Sequence, residues 1–187
     1  MTSAQIRILL NNALDEFYVR DSLLVYNFAT ERACVARIAG YLQRELDKIK
    51  HAQHLCVDCE YGAVVGNDGE LFKKYMDNVG AYSDSDKQKD RFFPDLIVHE
   101  RGQHNNNILV VEFKGWWNNE TWDNDRKKLE KLTTHSHQQK QKSYFCYQHG
   151  VFIALGRQQA YFVEFENGQQ ISTTATIDEL CKRKENL

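Results

Sequence analysis

Arg91 to Gly115 reads RFFPDLIVHERGQHNNNILVVEFKG, and the reading of this stretch decides the fold. It holds two apolar runs, Leu96-Ile97-Val98 and Ile108-Leu109-Val110-Val111, separated by the polar segment Arg101 to Asn107. β-Branched runs bounded by a Gly/Asn cluster predict two strands and a loop, a hairpin. Folding it about residue 103 or 104 sets Asp95 opposite Glu112 or its neighbour. Glu112 and Lys114 are two apart and so share one face of their strand. Two acids and a lysine are thus brought to the open end of the hairpin. Buried charge without a partner is costly, and a divalent metal would supply the partner.

Outward from the hairpin, helical spacing marks residues 3 to about 18, with Ile6, Leu9, Leu10, Ala13, Leu14 and Phe17 apolar and Ser3 as N-cap. Asp21 to Phe28 is ambiguous between strand and helix. Thr30 caps a second helix with Glu31 in its first turn. Leu55 to Tyr61 reads as a strand. Residues 64 to 91 read as a connecting loop with a short helix from Glu70 to Asp77. After the hairpin come a helix from about Asp125 to Leu132, a further one from Gln138 to Gln148, and a strand over Val151 to Leu155. Tyr161 to Glu166 would be that strand's hairpin partner, and Ile177 to Lys184 a closing helix. Helices must cover the faces of a central mixed sheet of four or more strands, an α/β or α+β fold. The whole chain of 187 residues reads as one domain with its core at about 30–155.

Composition narrows the classes. Hydrophobic residues at 42% and charged residues at 27% suit a globular protein, and the longest apolar run falls far short of a membrane span. The amphipathic start is no signal peptide, and five scattered cysteines read as reduced thiols, which together predict a cytoplasmic location. A net charge of −2 neither advertises nor excludes nucleic acid.

Pro94-Asp95, sixteen residues, then Glu112-Phe113-Lys114 resembles the PD-(D/E)XK signature of the restriction-endonuclease-like nuclease superfamily. The resemblance covers about two thirds of the chain and looks closest to small stand-alone bacterial members. It implies a core of helix, three strands, helix and strand. It also implies Asp95, Glu112 and the Phe113 carbonyl as ligands of Mg²⁺, with Mn²⁺ as substitute. Lys114 would be the catalytic lysine and Glu31 an accessory acid. The implied activity is phosphodiester hydrolysis, with DNA ahead of RNA as substrate. Cutting both strands of a duplex would suit a homodimer. The alternatives are a nucleic-acid- or partner-binding module of a bacterial defence or toxin assembly, and an RNA or cyclic-nucleotide phosphodiesterase.

Other residues carry weaker signals. Trp116 and Trp117 beside the lysine suit base stacking or core packing. Lys127 and Lys128 suit phosphate contacts or a solvated helix face. Asp58 and Glu60 would extend the acidic site or form salt bridges on a strand face, the second being the stronger reading. His51, His54, Cys56 and Cys59 have the composition of zinc ligands with poor spacing for them.

Overall fold

The structure is a computed structural model describing residues 1–60, 63–65, 71–73, 93–103, 106–118, 122–134 and 146–171. Its first element, α1 (Ser3–Tyr26), starts at a capping box in which Thr2 and Gln5 satisfy each other's backbone N–H groups. The cap is therefore Thr2 and not Ser3. The helix also runs eight residues past its expected end at 18. Neighbours explain the overrun. Helix α2 (Glu31–Asp47) lies against α1, Arg37 reaches Asp21 at 2.9 Å, Arg44 reaches Glu16 at 2.7 Å, and Val25 is fully buried. Tertiary packing settles a segment whose own propensity is undecided. Thr30 caps α2 as expected, accepting from the Ala33 N–H at 3.3 Å.

The main sheet has six strands: β1 (Leu55–Cys59), β4 (Leu96–Glu100), β5 (Asn107–Gly115), β6 (His149–Leu155), β7 (Ala160–Glu166) and β8 (Gln169–Ile171), neighbours in that order. Only β5 and β6 pair in parallel; the other neighbours are antiparallel. Helix α3 (Asp123–Thr133) makes the crossover between the two parallel strands, as such a pair requires. This is an α+β fold with a central mixed sheet flanked by helices. Strands β7 and β8 extend the same sheet beyond the expected core, and Asn167-Gly168, both at positive φ, form the tight turn between them.

Strands β2 (Ala63–Val65) and β3 (Leu71–Lys73) form a separate antiparallel pair. Residues 71–73 were expected in a helix. The β-forming residues flank Gly66-Asn67-Asp68-Gly69, a hairpin-turn composition, and the local pattern favours strands. Residues 74–77 of that helix, 138–145 of the one before β6 and the closing helix at 177–184 lie outside the described residues. Cys146 to Gln148 are not helical; Tyr147 N–H donates to Leu132 O at 2.9 Å and leads into β6.

Alternation along the strands builds two cores. Val111, Phe113, Ile153 and Leu155 face α1 and α2, whereas Val110, Phe152, Ala154 and Val163 face α3 with Trp122, Leu129 and Leu132. Each fully buried side chain of this size contributes about 1.5–3 kcal/mol. Glu112 and Lys114 therefore fall on the α3 face, at the carboxyl end of β5. The Gly150 hydrogen position lies against α3, since a Cβ there would meet Thr133 Cγ2 at 2.8 Å.

Candidate functional site

The hairpin register pairs Leu96 with Val111, and one further step sets Asp95 level with Glu112, one of the partners that counting along the sequence allowed. Asp95 accepts the Phe113 N–H at 2.7 Å through Oδ2, which fixes the carboxylate against the neighbouring strand. Burial pushes the Asp95 carboxyl up to about 6, with the Phe113 N–H and Lys114 acting the other way. Glu112 is almost wholly buried. Its Oε2 lies 3.4 Å from Lys128 Nζ, and its Oε1 has no hydrogen-bond partner among the described residues. Burial, and then the neighbouring Asp95, hold its carboxyl well above the ordinary range.

Glu31 reaches this end of the sheet from the first turn of α2. Its Oε1 accepts the Gly115 N–H at 2.7 Å and the Asn118 amide at 2.9 Å. Its Oε2 lies 3.8 Å from Lys114 Nζ. Glu31 thus ties the end of β5 to α2 and steers the lysine.

Two further residues complete the cluster. Asp125, in the first turn of α3, is buried and lies 3.5 Å from Lys114 Nζ and 3.1 Å from Lys128 Nζ. Burial acts against the charge on Lys128, and Glu112 and Asp125 more than offset it, raising its pKa. Sequence reading left Lys127 and Lys128 between phosphate contacts and a solvated helix face; Lys128 lies among the acids and Lys127 is exposed beside it. Asp125 was missed altogether. The signal that could have found it is spacing: with Leu129 and Leu132, it falls on the buried stripe of α3.

The cluster therefore holds four carboxylates, Glu31, Asp95, Glu112 and Asp125, against two ammonium groups. It is short of two positive charges when all are ionised. The N-termini of α2 and α3 both open toward it, adding positive partial charge without a formal one. Among the described residues no group of three or more His, Cys, Asp or Glu side chains is gathered tightly enough to cage a metal ion. The ligands that the resemblance implies are fewer: two carboxylates, one with an orphaned buried oxygen, and a backbone carbonyl. Mg²⁺ is ordinarily held in this way, by one or two carboxylates with waters and substrate phosphate in the remaining positions.

The side chains of Asp58 and Glu60 are engaged elsewhere, although the Glu60 N–H donates to Asp95 O at 3.3 Å. Asp58 pairs with Arg101 and lies 2.9 Å from His99; Arg101 first, with burial opposing and His99 assisting, lowers its pKa. Glu60 meets Arg32 at 2.5 Å. Both follow the salt-bridge reading. His54 turns to Asn106 at 3.2 Å, away from any cysteine partnership. Trp117 and Trp116 are half-buried and pack against the cores, and Trp117's ring lies where a Cβ on Gly115 would stand, 2.5 Å away.

No family model, characterised protein or solved structure matches the chain. Among the described residues no helix is long and apolar enough to cross a membrane.

Proposed function

We propose that the protein is a metal-dependent phosphodiester hydrolase of the restriction-endonuclease-like class, acting on DNA. The observation that carries this reading is Glu112: a buried carboxylate with one oxygen unpartnered, set beside Asp95 in a cluster short of positive charge. Such an arrangement is costly for stability alone and suits a cation. The element order α2, β1, β4, β5, α3, β6 adds support, because it is the helix, three strands, helix and strand order that the sequence resemblance implies.

Asp95, Glu112 and the Phe113 carbonyl would hold Mg²⁺. When bound, the ion would supply Lewis acidity toward the phosphodiester and would make water more acidic. The protein's own residues do the remainder. Lys114, on the same face as Glu112, donates to the attacking water or to a phosphate oxygen and offsets the charge that develops there. Glu31 and Asp125 keep that ammonium in place from two sides. Lys128 keeps Glu112 and Asp125 compatible in one buried space.

The test is cleavage of labelled DNA by purified protein with Mg²⁺ or Mn²⁺, beside Lys114→Ala. A loss of at least a hundredfold in rate is expected, about the size of one electrostatic contribution at a transition state. Absence of cutting by the metal-loaded protein, with Lys114→Ala indistinguishable from it, would sink the reading.

A further inference from the structure

The geometry points to unpaired bases of single-stranded nucleic acid as the substrate feature held beside this site, an inference that rests on the nuclease reading above. The surface that would hold them begins where β5 ends. Trp116 follows Lys114 by two residues and its N–H donates to Leu155 O at 3.0 Å, so it is fixed to the end of β6. Arg157, exposed on the next turn, lays its guanidinium 4.1 Å from the Trp116 ring centroid. That turn is anchored: Tyr18 donates its hydroxyl to Gly156 O at 2.9 Å, and the Gly156 N–H meets Gln159 O at 3.0 Å. The Trp116 Nε1 is buried without an acceptor among the described residues, so ring packing and not a hydrogen bond holds the indole there.

Phe28 stands on the other side of Trp116, ring centroids 5.3 Å apart. It is three residues from Glu31, it is 58% exposed, and its φ is 55°. A bulky side chain at positive φ is strained, and this one recovers little by burial. Phe93, 44% exposed, stands two residues before Asp95, ahead of β4. Exposed aromatic and guanidinium faces therefore flank the charged cluster. Planar faces of this kind stack on bases, and a guanidinium also meets the phosphate between them.

Charge favours single strands over duplex. Duplex binding draws its affinity from many Lys and Arg contacts to phosphates. This chain has a net charge of −2, and the lysines nearest the site, Lys114 and Lys128, are engaged by carboxylates. Stacking supplies what charge does not, and in a duplex the base faces are already occupied.

The test separates binding from cutting. Fluorescence anisotropy in EDTA would compare the full chain's affinity for labelled oligothymidylate, oligouridylate and a mixed-sequence duplex. The expected result is at least tenfold tighter binding of one single-stranded probe than of the duplex, with the better of the two probes naming the sugar. Arg157→Lys keeps the charge and loses the plane, and Phe28→Asn suits the left-handed backbone. Each should weaken single-strand binding about tenfold with duplex binding unchanged. Equal affinity for duplex and single strand, or wild-type affinity in both variants, overturns the inference. Since this arm contains no metal, it stands or falls independently of whether Lys114→Ala abolishes cutting.

Discussion

On the proposed reading, Glu112 and Asp95 cost the metal-free fold stability in order to serve the chemistry. With Lys128 also held by Asp125, the charge of an ionised Glu112 is one of the two that the cluster leaves uncompensated. Glu112→Gln removes that charge and keeps the shape. It should raise the stability of the metal-free protein by about 1–2 kcal/mol in urea unfolding while eliminating metal-dependent cutting. Lys128→Ala does the reverse, leaving Glu112 without its cation and Asp125 with Lys114 alone, and should cost about 3 kcal/mol. Lys127→Ala, at an exposed position, should stay within about 0.5 kcal/mol of the parent. The pH dependence follows from Asp95. Its folded pKa of about 6 lies above the ordinary value of 3.8, so the folded state binds the proton more tightly than the unfolded chain. Stability without metal should therefore fall as pH rises from about 4 to 6, by on the order of 2 kcal/mol from Asp95, and Asp95→Asn should reduce that fall while Glu112, also raised, keeps its own share. Urea midpoints at several pH values in EDTA measure it. The acids of the hairpin were legible because period two and a turn fix which residues meet. Asp125 was not, since an acid in a first turn already has a local reason to be there, and only packing of α3 across β5 buries it.

At the level of elements, the end of β5 is held by contacts that leave no room. Gly115 gives its N–H to Glu31 and its α-carbon face to the Trp117 ring. Gly115→Ala forces the indole aside and should cost about 1–3 kcal/mol, with a larger loss of cutting than of stability because Lys114 is the next residue. Thermal unfolding and rate, measured on one preparation, separate the two. Helix α1 is tied to the far strand by Arg7, which grips Glu164 through both carboxylate oxygens at 2.8 and 2.7 Å, with buried His149 3.1 Å from the same group. The helices and main-sheet strands were mostly readable from periodicity. The second half of α1 was not, because its apolar Val25 and its charged Glu16 and Asp21 take their meaning from α2. The β2–β3 pair was missed because a loop-rich composition outweighed two short β-forming runs.

For the molecule as a whole, Glu112 and Phe113 sit on β5, an inner strand of a six-stranded sheet, and Asp95 immediately precedes its neighbour β4. A cation bound there stabilises the folded state against complete unfolding. The expected gain is about 2.7 kcal/mol when Mg²⁺ stands at a hundredfold over its dissociation constant, and the melting temperature should climb with the logarithm of its concentration. Glu112→Gln should lose that dependence. A melting curve indifferent to Mg²⁺ and Mn²⁺ would speak against the metal altogether. The order of the chain adds something about timing. All six charged side chains of the cluster lie between Glu31 and Lys128, but β6, the parallel partner that closes β5 from Leu109 to Gly115, begins only at His149. A chain still being synthesised thus carries the complete set of charges on a strand with one side unpaired, and long-range parallel pairing is slow to form. On the proposed reading the charges precede the geometry, and the site would be complete only once β6 has docked.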